Sequence, residues 1–127
     1  MHDKHLFEFA VIRVVPRVER EEFVNVGVVV FCKRKRFLKA AFVLDPLKLH
    51  SLSPETDVVE VEENLRSFIS ISEGAKKGGP IAQMDPAERF RWLTAVRSTV
   101  IQTSRPHPGF GSDLDSVLSK LLSEQVL

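Results

Sequence analysis

Apolar positions along the chain fall into two kinds of pattern, and the first is strand-like. Leu6 to Val15 is rich in Phe, Val and Ile, with Arg13 as an interruption. Pro16 ends it, because proline lacks the amide that a ladder needs. Asn25 to Cys32 is apolar on both alternating faces, with Val26, Val28 and Val30 opposite Val29 and Phe31. A strand with two apolar faces is central in its sheet, and Gly27 inside it predicts a bulge or a close backbone approach. After Lys33-Arg34-Lys35-Arg36 the chain resumes with Phe37 to Leu44, where Leu38, Ala40, Phe42 and Leu44 share a face. Two strands around a short polar link predict an antiparallel hairpin. The link has no Asn-Gly or Asp-Gly, so the tightest turn is not expected.

The second pattern has helical spacing. Asp45-Pro46 supplies a cap and a first-turn proline for a short helix. From Pro54 onward Val58, Val61, Leu65, Phe68 and Ser72 recur at three- and four-residue steps and predict an amphipathic helix ending near Glu73-Gly74. Gly74 to Pro80 reads as a mobile loop, and Ile81 to Met84 as a short extended piece. Asp85-Pro86-Ala87-Glu88 combines a capping Asp, a first-turn Pro and a Glu at the third position, and opens a helix through Trp92 to Ala95. Thr99 to Thr103 is β-branched and reads as a strand, which Arg105-Pro106-His107-Pro108-Gly109 terminates. Ser112-Asp113 caps a last helix whose Leu114, Val117, Leu118, Leu121, Leu122 and Val126 form one wide stripe. That stripe needs a cover, either its own sheet or another subunit. In the second case a protein partner or a homo-oligomer would form through the 113–127 helix. The order β-β-β-α-α-β-α predicts an α+β fold: a mainly antiparallel sheet of about four strands, with helices packed mostly on one face.

Bulk properties narrow the function classes. At 127 residues, 43% hydrophobic and 28% charged, the chain is expected to form a single domain, 1–127, without help from disulfides or metal. A net charge of +1 excludes a global nucleic-acid signature, so any basic patch must be local. Cys32 is the only cysteine and lies in an apolar run, which suits a buried thiol in a reducing compartment. The N-terminus has no secretory apolar region, and no apolar run approaches the length of a membrane span. A cytoplasmic protein that does not engage membranes is expected. His2, His5, His50 and His107 with Cys32 show no metal-ligand spacing, so neither a metal nor a cofactor is expected.

Candidate chemistry is sparse. Gly74-Ala-Lys-Lys-Gly-Gly is followed by proline rather than by the Ser or Thr of a phosphate loop, and a helix precedes it. There is no Gly-x-Ser-x-Gly elbow, and Asp45, Asp85 and Asp113 are accounted for as caps. Lys33, Arg34, Lys35 and Arg36 form a basic hairpin tip. It reads either as a solvated turn that discourages edge pairing or as a weak nucleic-acid contact. The stretch Glu88–Gly109 stands apart, because it interleaves polar groups with apolar ones. Arg89, Arg97, Ser98, Thr99, Gln102 and Ser104 are the candidate ligand-binding residues, since guanidinium forks and hydroxyls suit a phosphate or carboxylate. Alternation along an extended chain would put Ser98, Val100, Gln102 and Ser104 on one face. The competing reading is an internal polar network that docks a helix onto the sheet.

Arg13-Val-Val-Pro16, Glu22-Phe-Val-Asn-Val-Gly-Val-Val-Val-Phe-Cys32, Glu88-Arg-Phe-Arg-Trp-Leu93 and Arg97-Ser-Thr-Val-Ile-Gln-Thr-Ser104 together resemble a bacterial family of small proteins, domain of unknown function 3037. The resemblance spans nearly the whole chain and brings no catalytic residues with it. Genes of that family often lie beside one for a HipA-like kinase, so the resemblance implies a partner or accessory role. The leading expectation is therefore a non-catalytic interaction or accessory module. The alternative is a phosphorylated-ligand (nucleotide) binding protein or enzyme with an Arg/Ser/Gln site. Nucleic-acid binding through the basic hairpin comes third.

Overall fold

The computed structural model describes residues 3–97 and 99–127. Its centre is β1 (His5–Val14), paired antiparallel on one side with β2 (Val24–Cys32), which in turn pairs with β3 (Phe37–Phe42). Two further strands share the other side of β1 end to end. β4 (Ile101–Thr103) lies against Ile12–Val14, and β5 (His107–Gly111) against His5–Phe9. The strand expected over Thr99–Thr103 does end before Arg105, but part of its expected terminator, His107–Gly109, belongs to a further strand that was not expected. The chain bends at Ser104–Pro106 and then resumes pairing. Pro108 is tolerated because β5 is an edge strand. Gly109 is required by a neighbour: a side chain there would begin 2.5 Å from the Phe7 ring.

The bulge predicted at Gly27 is present. The register steps from Ile12 opposite Gly27 to Arg13 opposite Asn25, which leaves Val26 as the extra residue. A β-carbon on Gly27 would stand 2.4 Å from the backbone oxygen of Ala41 and 3.1 Å from Ile12, so only glycine fits.

Helices cover both faces of this sheet. Ala10, Ile12, Val14, Val26, Val29 and Phe31 pack against Leu49 of α1 (Pro46–Leu52), Val61, Leu65 and Phe68 of α2 (Val58–Glu73), and Phe90 and Leu93 of α4 (Pro86–Thr94). On the opposite face Phe7, Val28, Val30 and Cys32 meet Leu114 and Leu118 of α5 (Leu114–Gln125), together with Val126. The fold is α+β with an antiparallel sheet and most helices on one side. α5 alone covers the second side, which explains why β2 is apolar on both faces. Leu114, Leu118 and Val126 of the 113–127 stripe are thus buried within the chain, with Val117, Leu121 and Leu122 partly buried beside them. Asn25 Nδ2 donates to the carbonyl of Gln125 and Lys48 Nζ to that of Val126, which satisfies oxygens at the C-terminal end of α5.

Local start and stop signals act as their chemistry dictates. The carboxylates of Asp45, Asp85 and Asp113 accept amide hydrogen bonds from Leu47, Glu88 and Ser116. Asp57 does the same for α2, accepting from Val59 and Glu60. The helix therefore begins at Val58 rather than at Pro54, and Thr56 turns back onto Ser53. α2 ends at Gly74, whose φ of 71° is the left-handed conformation that glycine adopts freely. Residues 76–82, read as loop and extended chain, form a 3-10 turn (Lys76–Gly78) and a single helical turn, α3 (Gly79–Ala82). Pro80 suits a helical first turn, and Ala82 is buried. Among the described residues no helix is long and apolar enough to cross a membrane.

Candidate functional site

α2 is long enough that only part of its length is sealed by neighbours. Two hollows lie along its outer flank and another beside the turn that precedes it, and neighbouring hollows share lining residues, so together they form one groove. The first, about 290 Å³, is lined by Arg17, Glu55, Asp57, Glu60, Val61 and Asn64 among others. The second, about 340 Å³, shares Pro16, Arg17, Ser53 and Glu55 with it. The third, about 350 Å³, shares Asn64 and Val100 with the first and is lined further by Ser67, Phe68, Ile71, Trp92, Leu93 and Ile101, with Arg97 and Thr99. Its floor is the rim of the core, since Phe68 and Leu93 are buried and Ile71 and Ile101 pack beside them.

Trp92 and Arg97 shape the mouth of the third hollow. α4 brings Phe90 and Leu93 into the core and leaves Trp92 on its flank, 38% exposed. The chain then turns, and Cζ of the Arg97 guanidinium lies over the Trp92 ring, 4.0 Å from its centre. Nη2 of Arg97 also donates to the carbonyl of Trp92. Partial burial pulls the Arg97 pKa below its ordinary value. A guanidinium titrates so far above neutrality that the group stays cationic. Val96 beside it is fully exposed, and Val100 is 36% exposed.

The predicted site residues are divided among three places. Arg97 and Thr99 line the third hollow, and Thr99 Oγ1 donates to the carbonyl of Ile101. Ser98 lies outside the described residues. Arg89 does not line the groove. Its Nη1 donates to the carbonyls of Ile71 (3.2 Å) and Ser72 (2.9 Å) and so closes the end of α2. Gln102 stands opposite Arg13 in the β1–β4 register, on the face of the sheet away from Ile12 and Val14. Its Nε2 donates to the carbonyl of Thr99. Ser104 is buried, with its hydroxyl taken up by backbone groups. The stretch therefore does not converge as one constellation.

Arg13 shares a row with Asn25 and Gln102 and stacks over Phe23 at 4.1 Å. Partial burial lowers its pKa as well. The basic tip Lys33–Arg36 is exposed. Arg36 closes the turn at φ 48°, and its amide donates to the carbonyl of Lys33. Lys33 and Arg36 border only a small hollow of about 120 Å³ with Asp85, Pro86 and Ala87.

Sequence reasoning missed the α2 side of the groove. Asn64 and Ser67 flank the Val61–Leu65–Phe68 stripe, and polar residues bordering an apolar stripe read as ordinary wet surface. Arg97, Thr99, Val100 and Ile101, lining the same hollow, turn that border into a wall. Chemically the groove offers a guanidinium, an amide, hydroxyls, carboxylates and an apolar floor. That set suits recognition of a chain or ligand. Among the described residues no group of three His, Cys, Asp or Glu side chains is placed to hold a metal ion.

Comparison with known proteins gives one match. The profile of the family described as "Protein of unknown function (DUF3037)" covers residues 9–126. No curated protein and no solved structure matches the chain.

Proposed function

This chain belongs to the DUF3037 family, and we propose that it works as a non-catalytic interaction or accessory module whose contact surface is the groove beside α2. The observation that carries this reading is the half-exposed Trp92 ring, held by Arg97 at the mouth of an apolar-floored hollow. Trp and Arg are enriched among the few residues that carry most of the binding energy at protein interfaces. Fully exposed Val96 and part-exposed Val100 extend the same surface. The stripe of α5 packs on its own sheet, which supports choosing the groove as the contact surface. A reducing, cytoplasmic setting fits the single buried thiol of Cys32.

A HipA-like kinase, the partner that the family resemblance implies, is the first to test. Purified kinase is titrated against the wild-type chain, Trp92→Ala, Val100→Arg and, as a control, Lys35→Ala. The expected result is binding that both groove variants weaken by about tenfold or more, roughly 1.4 kcal/mol, while the hairpin variant is unchanged. Binding that is equal in all four removes the groove from the reading.

A second reading, a phosphorylated ligand such as a nucleotide, draws on Arg97 and Thr99 lining one hollow. It predicts that a nucleotide raises the melting temperature of wild type but not of Arg97→Ala. If no nucleotide or sugar phosphate raises it, this reading is abandoned.

A further inference from the structure

The groove changes chemical character along its length. On one side Glu55, Asp57 and Glu60 share the first hollow with Arg17, and in the adjoining hollow Arg20 is paired with Glu22. Among the described residues none of Glu55, Asp57 and Glu60 is in an ion pair. Asp57 spends one oxygen on the first-turn amides of α2. At the other end Arg97 lies against Trp92, with no carboxylate partner among the described residues. Between them lies the apolar floor of Phe68, Ile71, Leu93 and Ile101. The two charged ends are therefore opposite in sign and unspent, with an apolar seat adjoining the cationic one.

Spacing follows from helix geometry. Glu60 and the Ser67–Ile71 stretch of α2 are about 7 to 11 residues apart, or about 10–16 Å at ~1.5 Å per residue. An extended chain covers that distance in about three to five residues at ~3.3 Å each. A helix, about 10 Å across, is too thick for hollows that each take only a side chain or two.

We infer that the occupant of the groove is an extended segment of a partner protein with a set order of side chains. A large apolar residue beside an acidic one seats at Phe68, Trp92 and Arg97. A Lys or Arg about three to five positions away meets Glu55 and Glu60. This inference rests on the proposed interaction role of the groove and specifies what the groove selects. Opposite charges at its two ends fix the direction in which the segment lies, because the reversed segment puts like charges together at both ends.

The test is a random peptide library, about nine residues long, panned on the immobilised full chain, with selected peptides measured by fluorescence anisotropy. Enriched sequences are expected to carry the acidic–apolar pair and the spaced basic residue. Arg97→Glu is expected to weaken them about tenfold, with recovery when the peptide's acid is exchanged for Lys. Glu60→Lys is expected to behave likewise, with recovery when the peptide's base is exchanged for Glu. If Trp92→Ala abolishes binding but the peptides show no charge order, or charge exchange restores nothing, this inference falls and the interaction groove stands. Peptides indifferent to Trp92→Ala, or a library that yields no binder, count against both.

Discussion

The hydroxyl oxygen of Ser104 accepts a hydrogen bond from the amide of Val11 at 2.9 Å, while the amide of Ser104 donates to the carbonyl of Val11 at 2.9 Å. Val11 sits in β1 between the stretch paired by β5 and the stretch paired by β4. At that junction no strand partner supplies a carbonyl for its amide, and the serine oxygen takes the place. Ser104→Ala leaves a buried N–H unpaired, which costs about 1–3 kcal/mol. Urea unfolding followed by circular dichroism should show the loss, with the same m-value as wild type.

Arg89 and Gly74 act together at the end of α2. A β-carbon at Gly74 would stand 2.8 Å from Nη1 of Arg89, and the backbone there has positive φ. Gly74→Ala therefore strains the left-handed residue by about 1–2 kcal/mol and also pushes the guanidinium off the Ile71 and Ser72 carbonyls. Arg89→Ala removes the charge-assisted bonds alone, and about 1.5–3 kcal/mol is expected. The two losses should be less than additive in the double variant, since both report on one contact. Full additivity in thermal melts would show that the contact is not shared.

Gly27→Ala has no room to relax. The obstructing atom is the backbone oxygen of Ala41, in the middle of the β2–β3 ladder. A cost of about 3 kcal/mol is expected, the upper end for overpacking. A fall in melting temperature comparable to that of an exposed-site alanine variant would contradict the close approach.

Two helix caps make stability sensitive to acid. The Asp85 carboxylate is held below its ordinary value of 3.8, first by the amide of Glu88. Asp113 is held below 3.8, first by the hydroxyl and then by the amide of Ser116. A carboxyl group whose pKa is depressed on folding stabilises the protein above its unfolded pKa and loses that contribution as pH falls through the folded value. The melting temperature should therefore drop on acidification through and below the ordinary aspartate range. Asn caps a helix about as well as Asp but does not titrate. The Asp85→Asn, Asp113→Asn variant should match wild type near neutrality and show a shallower acid decline. An unchanged acid slope would mean that other groups set it.

Much of this architecture is legible in the chain because its causes are local. The two apolar faces of β2, the glycine bulge and the aspartate caps each follow from a few neighbouring residues. β5 was hidden because Pro108 and Gly109 read as breakers. Their place at a sheet edge, with Gly109 against the Phe7 ring, is visible only once distant residues meet. The stripe on α5 announced that a face is buried, but periodicity carries no information about what buries it. At the candidate site, alternation was extended from Ser98 through Gln102 as if the chain were already a strand. β4 begins only at Ile101, and the register sets Gln102 beside Arg13. Arg97 was flagged by residue type, whereas Trp92 read as a core residue and is instead 38% exposed. Asn64 and Ser67 were not flagged, because their role comes from a loop folding alongside them.

The sharing of β1 by two late strands also has a bearing on how the chain folds. Val11 and Ser104 are 93 residues apart, whereas β1, β2 and β3 follow one another closely. The β1–β2–β3 meander has short loops to close and forms readily, but its first strand then waits with an open edge. Contacts at such long sequence separation are slow to form, and an unpaired edge is the feature that recruits neighbouring chains. During synthesis the risk of misassociation is therefore concentrated in the interval before residues 101–111 emerge. Their arrival covers β1 and moves the edge to two short strands, one of them carrying Pro108.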